Sequence, residues 1–289
     1  MKKRMLASLL LSVMVLSVGA QFASAENLES SKTTGEVGFT AGEKPGTTKP
    51  EKGPKDGEDL EDDKDEDGKP IPLPNNGGIY VTHLPNFSFG TENKTSVKTV
   101  DYEAYTEERK LKGTEDVFYM PHSVQVSDVS GNEQATWKLS VVQDNPFEAG
   151  SSVLNNTRIR IYGNTFTNSL KNTQELGDNI KGVEVGVGEE NGTARHAVIP
   201  LTGEKEGELT VLSNTKAGFT NASTTSAVFS DGYLAENYNP EKTPKTAAYE
   251  GVKLNVPASD QAKAKTYTTQ LTWTLTVEPG TPETPETAE

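Results

Sequence analysis

The chain has 289 residues, a formal net charge of −14 and no cysteine. The negative charge argues against binding to nucleic acid or to an anionic membrane surface, because no basic stripe is present to neutralise phosphate groups. Without disulfides, an exported fold needs a large apolar core, which a domain of about 200 residues can provide.

The first 25 residues have the pattern of a secretory signal peptide. Three basic residues at positions 2–4 precede an apolar run from Met5 to Val18, and Ala23-Ser24-Ala25 offers small residues for cleavage before Glu26. The apolar run is shorter than the roughly 20 residues that a membrane-spanning helix needs. We therefore expect an exported mature chain without a transmembrane segment, in which the loss of three positive charges takes the net charge from −14 to −17.

Two segments of different character follow the predicted leader. In residues 26–42, Val37 and Phe39 alternate with small residues, which predicts one short strand that joins the main domain. Residues 43–76 are rich in Pro, Gly, Lys, Asp and Glu, and positions 51–67 alone hold ten acidic and three basic residues. The segment has too few large apolar side chains for their burial to offset the conformational entropy lost on ordering. It is therefore predicted to be a disordered acidic linker.

No metal or other cofactor is predicted. Residues 63–68 match the first half of an EF-hand calcium loop, but its twelfth position would be Pro74 instead of Glu and neither flank has a helical pattern. An acid-rich solvated run is the favoured interpretation. The three histidines, His83, His122 and His196, lack ligand spacing and are predicted to lie at the surface or at strand ends.

Residues 77–279 form a succession of short β patterns separated by turn residues, and no window has a convincing helical period. This predicts an all-β, single β-sandwich-like domain of many short strands, followed by a disordered tail at 280–289. The predicted strands are Ile79–Leu84, Phe87–Phe89, Ser96–Ala104, Asp116–Met120, Ser123–Val129, Thr136–Val142, Arg158–Tyr162, Gly182–Val187, Ala197–Leu201, Glu208–Leu212, Ala227–Phe229, Val252–Val256 and Tyr267–Val277.

The only two tryptophans of the chain stand in matching contexts. Trp137 and Trp273 are each followed two residues later by Leu and four residues later by Val. This alternation is typical of a strand with one apolar face. A Trp in phase with Leu and Val is favoured as a core residue, and direct contact of Trp with a ligand remains the alternative.

Catalysis finds little support in the sequence. Cysteine nucleophiles are absent, and no Gly-x-Ser-x-Gly elbow occurs. Folding could bring two carboxylates together for glycoside hydrolysis, but no pair stands out in the sequence.

Several blocks together resemble the WxL-domain surface proteins of Gram-positive bacteria. The blocks are Val37–Thr40, Pro85–Gly90, Val124–Asp128, Trp137–Leu139 and Lys265–Leu275. The resemblance implies that 77–279 is a WxL domain that attaches non-covalently to the cell wall, with peptidoglycan as ligand. It implicates both motifs, Trp137-Lys138-Leu139 and Trp273-Thr274-Leu275, directly or through folding, and it implies action with membrane-anchored or sortase-linked surface proteins.

The predicted function is therefore that of a secreted, non-enzymatic protein associated with the cell wall. The alternatives are a wall-modifying carbohydrate-active enzyme and an adhesin for host extracellular matrix. A chain with a charge of −17 would be repelled by an anionic wall over roughly 8–10 Å at physiological salt. Attachment is thus expected to depend on short-range contacts and to resist added salt.

Overall fold

The computed structural model describes residues 37–51, 53, 57–64, 69–185, 189–190, 193–238 and 247–279. The described residues form antiparallel strands, one α-helix and two 3₁₀ helices. The elements are β1 (Asn75–Asn76), β2 (Ile79–His83), β3 (Val100–Tyr105), β4 (Glu107–Lys110), β5 (Val117–Met120), β6 (Ser123–Asp128), β7 (Ala135–Gln143), β8 (Phe147–Ala149), β9 (Ser152–Leu154), β10 (Arg158–Ile161), β11 (Thr165–Asn168), α1 (Thr173–Asn179), β12 (Ile180–Gly182), β13 (Glu189–Glu190), β14 (Thr193–Ala194), β15 (Ala197–Val198), β16 (Leu209–Asn214), β17 (Ser223–Val228), β18 (Ala248–Val256) and β19 (Leu271–Pro279), with 3₁₀ turns at Ala235–Asn237 and Ala258–Asp260.

Three larger sheets enclose one apolar core. Their strand orders are β1-β2-β6-β17-β11, β15-β10-β18-β3 and β12-β16-β7-β19, and the pairs β4-β5, β8-β9 and β13-β14 form hairpin ribbons. Val124, Leu139 and Ile161, one from each larger sheet, belong to the same cluster of buried side chains. The predicted all-β class is confirmed.

The strands form where apolar and polar residues alternate in the sequence. In β10, Ile159 and Ile161 are buried while Arg158 and Arg160 are partly exposed, as a period of two requires for a strand with one face on the core.

The α-helix was not predicted, because its seven residues are too few for a helical period to emerge. Its start nevertheless has a sequence signal, since Asn172 accepts from the backbone N–H of Glu175 and the Glu175 carboxylate accepts from the backbone N–H of Asn172. The helix buries Leu176 in the core.

The described part of segment 43–76 is not a free linker, contrary to the expectation from its composition. We call residues 47–51 and 57–63 the strap. The side-chain amide of Gln125 on β6 accepts from Thr48 N (2.9 Å) and donates to Thr48 O (2.8 Å). Leu60 is only 2% exposed and joins Phe118 and Met120 in a second apolar cluster. Polar contacts and one leucine therefore bind this acidic stretch to the domain.

Other expectations for the ends of the chain are tested only in part. No strand forms in residues 37–42, where Val37 and Phe39 are 75% and 89% exposed. The predicted leader (1–25), residues 26–36 and the tail at 280–289 lie outside the described residues. Within the described residues, no helix has the length and apolar character needed to cross a membrane.

Candidate functional site

The structure brings the two tryptophan motifs together. Strands β7 and β19 are antiparallel neighbours, and their register pairs Trp137 with Val277, Leu139 with Leu275, and Val141 with Trp273. Paired residues share a face of the sheet, so both tryptophans point to the core side. They lie four positions apart along the strands, which is roughly 13 Å.

Trp137 is a core residue. It is 2% exposed, on a strand with neighbours on both sides. Its indole Nε1 donates to Thr220 Oγ1 (3.0 Å), and that hydroxyl donates to Asp128 Oδ2 (2.8 Å), which satisfies the polar end of the buried ring. A ligand has no access to this side chain.

Trp273 lies in a different setting, on the edge strand β19. It is partly exposed and lines a groove of about 760 Å³. One wall of the groove comes from residues 85–98 and the other from residues 262–271. The aromatic rings that line it are Phe87, Phe89, Tyr102, Phe147, Tyr267 and Trp273.

Local interactions hold the first wall in place. Gly90 has a φ of +80°, and a Cβ there would come within 2.7 Å of the Tyr105 hydroxyl, so the turn requires glycine. The Asn93 side-chain amide donates to Phe89 O (2.8 Å), and Tyr105 N donates to Ser88 O (2.8 Å). This wall is therefore a built turn supported by β3.

The second wall is anchored to the β8–β9 hairpin. Glu148 N donates to Thr268 O (2.8 Å), and Thr268 N donates to Glu148 O (3.0 Å). Tyr267, which is half-buried, accepts at its hydroxyl from Lys263 N (3.1 Å). These contacts hold Tyr267 at the groove, while the pairing of β19 with β7 positions Trp273.

Of the six predicted motif residues, only Trp273 lines the groove. Leu139 is fully buried, Leu275 is half-buried against the core, and Lys138 is exposed on the opposite face of β7. Thr274 is half-buried on that same opposite face, with its hydroxyl 3.5 Å from Glu208 Oε1.

The other aromatic residues of the groove were not predicted as site residues. A signal for three of them was present. Phe87 and Phe89 lie in the block Pro85–Gly90, and Tyr267 is in phase with Trp273 along the chain.

The strap covers a buried charged cluster on β2 and β4. His83, predicted to be a surface or strand-end residue, is the last residue of β2 and is buried, with Nδ1 2.7 Å from Asp63 Oδ2 and Nε2 3.0 Å from Glu107 Oε2. Arg109 donates from Nη1 to Asp63 Oδ1 (2.6 Å). The His83 imidazole and the Arg109 guanidinium thus both contact the Asp63 carboxylate, and the remaining positions of the calcium-loop match, 65–68, lie outside the described residues.

The cluster shifts the pKa values of its members. Burial and the charge of Arg109 oppose protonation of His83, but Glu107 and Asp63 together raise its pKa above the ordinary value. Burial likewise opposes ionisation of Asp63 and Glu107, yet the hydrogen bond and charge of His83 lower the pKa of each. His122, which directly precedes β6, is buried as well, so it lies at a strand end and not at the surface, and burial lowers its pKa.

The groups that line the groove are suited to binding a ligand. Aromatic rings and hydroxyls line it, and its only carboxylate among the described residues is Asp144, whose Oδ2 accepts from Thr272 Oγ1 (3.0 Å). Across the described chain, no group of three or more His, Asp or Glu side chains is arranged to hold a metal ion.

Comparison with known proteins gives one match. A family model described as "WxL domain surface cell wall-binding" matches residues 26–279. Neither the comparison with curated proteins nor the comparison with solved structures gives a match.

Proposed function

Because this chain belongs to the WxL family of cell wall-binding surface domains, we propose that it attaches non-covalently to peptidoglycan through the groove beside Trp273. The observation that carries the proposal is the position of Trp273. It is the motif tryptophan that is partly exposed, and it stands in the groove with five other aromatic residues.

Aromatic faces are suited to the flat faces of sugar rings, and the hydroxyls of Thr266, Thr268 and Thr269 on the second wall add hydrogen-bonding partners. A groove of about 760 Å³ falls in the size range of ligand sites. Open at the surface, it could accept part of a long polymer, as attachment to a wall requires.

We propose that attachment is not accompanied by catalysis. A glycosidase of the usual kind needs two carboxyl groups on either side of the bond, about 5–9.5 Å apart. Within the described residues, the groove has Asp144 alone. The enzyme alternative would regain support if purified peptidoglycan were cleaved by the protein.

The proposal includes export of the protein and its location at the wall. Docking of membrane-anchored or sortase-linked surface proteins is a further role that the resemblance implies, and adhesion to host matrix is the other alternative.

The test is co-sedimentation of the mature protein with purified peptidoglycan. Tyr267→Ala, in the groove, is compared with Tyr119→Ala, at a half-buried tyrosine on β5 outside the groove. We expect binding to weaken at least tenfold for Tyr267→Ala and to stay at the wild-type level for Tyr119→Ala. Equal binding by wild type, Tyr267→Ala and a folded Trp273→Ala variant would refute the groove as the attachment site.

A further inference from the structure

The groove has the opposite charge to the rest of the chain. Its charged lining residues are four lysines and one carboxylate, a net of +3, whereas the chain as a whole has −14. They are Lys94, Lys98, Lys263, Lys265 and Asp144. A local reversal of charge in a concave site concentrates the field and attracts anions into it.

The lysines stand on both walls. Lys94 and Lys98 belong to the wall before β3, while Lys263 and Lys265 belong to the wall before β19, and all four are exposed. Lys265 Nζ donates to Ser152 Oγ (2.9 Å), which directs one ammonium group without neutralising it.

The three other groove lysines have no ion-pair partner within the described chain. Some lysines elsewhere in the domain are in ion pairs, as Lys253 is with Glu103 (3.4 Å) and Lys110 with Glu115 (3.1 Å). The nearby carboxylate of Asp260 accepts hydrogen bonds from Asn156 and Thr157 and does not line the groove. Three lysines without an ion-pair partner among the described residues therefore line the groove, and they come from both of its walls.

We infer that the groove selects a glycan that carries negative groups, carboxylate or phosphate, with the aromatic rings contacting sugar faces and the lysines contacting the anions. The inference rests on the proposed function, because it names the class of ligand for the same site. It also replaces the expectation that attachment resists salt, since the overall charge of the chain does not describe the charge of this groove.

The test compares two variants with the same change in net charge. Lys98→Glu/Lys263→Glu reverses one charge on each wall, and the control Lys112→Glu/Lys205→Glu reverses two exposed lysines outside the groove. Exposed ion pairs each contribute a factor of about 1.4 to 5. We therefore expect the groove variant to bind purified walls about tenfold or more weakly than wild type and the control to bind within about twofold.

Salt and ligand chemistry extend the test. Wild-type binding should weaken several-fold between 0.1 M and 1 M NaCl, because the Debye length falls from about 10 Å to about 3 Å. Walls stripped of phosphate polymers by hydrofluoric acid are compared with walls whose carboxyl groups have been coupled to a neutral amine. The treatment that removes binding identifies phosphate or carboxylate as the recognised group.

The outcomes separate this inference from the proposed function. If the groove and control charge variants bind equally while Tyr267→Ala loses binding, the groove is the site and charge selection is wrong. If binding survives both wall treatments together, charge selection is likewise wrong. If Tyr267→Ala binds as wild type does, the site itself is misplaced. Circular dichroism of each variant shows that the loss does not come from unfolding.

Discussion

The strands β7 and β19 contain the same Trp-x-Leu-x-Val pattern and lie side by side, yet their tryptophans have different surroundings. Strand β7 has β16 on one side and β19 on the other, whereas β19 ends the sheet. Trp137 is 2% exposed with its indole N–H bonded to Thr220, and Trp273 borders the groove. The position of a strand in the sheet, more than the motif itself, decides what its tryptophan can do.

The two tryptophans therefore have different roles, one in the core and one in the groove. A measurement of wall binding alone would not distinguish these roles. A variant of Trp137 would lose binding because the domain unfolds, and a variant of Trp273 would lose it because a contact is missing. Stability and binding must therefore be measured on the same variants.

The largest expected effect is that of Trp137→Ala. Truncation of a buried tryptophan leaves a cavity and typically costs about 3–5 kcal/mol of unfolding free energy. Urea unfolding should show this loss as a lower midpoint with a similar slope. If Trp137→Ala were as stable as wild type, the assignment of Trp137 to the core would be wrong.

The next effect is that of Thr220→Val, which leaves the shape of the side chain but removes the hydroxyl between Trp137 Nε1 and Asp128 Oδ2. An unsatisfied buried donor and acceptor cost about 1–3 kcal/mol. Thr274→Val is the matched control, because the Thr274 hydroxyl has only a 3.5 Å contact to Glu208. The control should unfold at the wild-type midpoint, and equal losses would show that the Trp137 network adds nothing.

A smaller loss of stability is expected for Trp273→Ala, about 1–2 kcal/mol, because the ring is only partly buried. Peptidoglycan binding should fall at least tenfold at a temperature where the variant is fully folded. A stability loss equal to that of Trp137→Ala, with binding retained by the folded fraction, would erase the difference between the two strands.

The parts of this fold that could be predicted from the sequence are those in which the buried side chains are apolar. The strands that bury apolar residues at every second position, such as β7 and β10, were predicted within one or two residues. The strap was missed because much of its burial is polar. Gln125 lies on the polar face of β6, which the sequence pattern predicts to be solvent-exposed, but its side chain binds the backbone of Thr48 instead of water. A hydrophobic pattern in the sequence does not indicate such a polar contact.

The groove was missed for a different reason. Phe87 and Tyr267 lie 180 positions apart in the chain and meet only because β3, β18 and β19 bring their loops together. The positive charge of the groove was missed for the same reason, because a net charge of −14 for the whole chain does not indicate which lysines lie close together in the fold. The motif could be read from the sequence, but the asymmetry between its two copies required the topology.

The smallest expected effect concerns pH, and it tests whether the two motif strands differ for reasons of packing alone. The folded-state pKa of His83 is raised, so its stabilisation is complete below the ordinary 6.5 and is lost as pH rises through the folded value. The folded-state pKa of His122 is lowered, so stability falls as pH drops below 6.5. Asp63 and Glu107, with lowered pKa values, add a further loss at more acidic pH, below their ordinary 3.8 and 4.5.

The unfolding free energy should therefore be greatest near pH 6.5 and decline on both sides. These groups lie on the strap, on β2 and β4 and next to β6, outside the sheet that contains both motifs. Wild type, Trp137→Phe and Trp273→Phe are thus expected to give parallel curves of unfolding free energy against pH, because distant sites contribute additively. In His83→Gln the decline above pH 6.5 should be reduced. If the curve of one Trp variant converged with the wild-type curve at some pH, its tryptophan would be coupled to the charged cluster. The difference between β7 and β19 would then include electrostatics as well as burial.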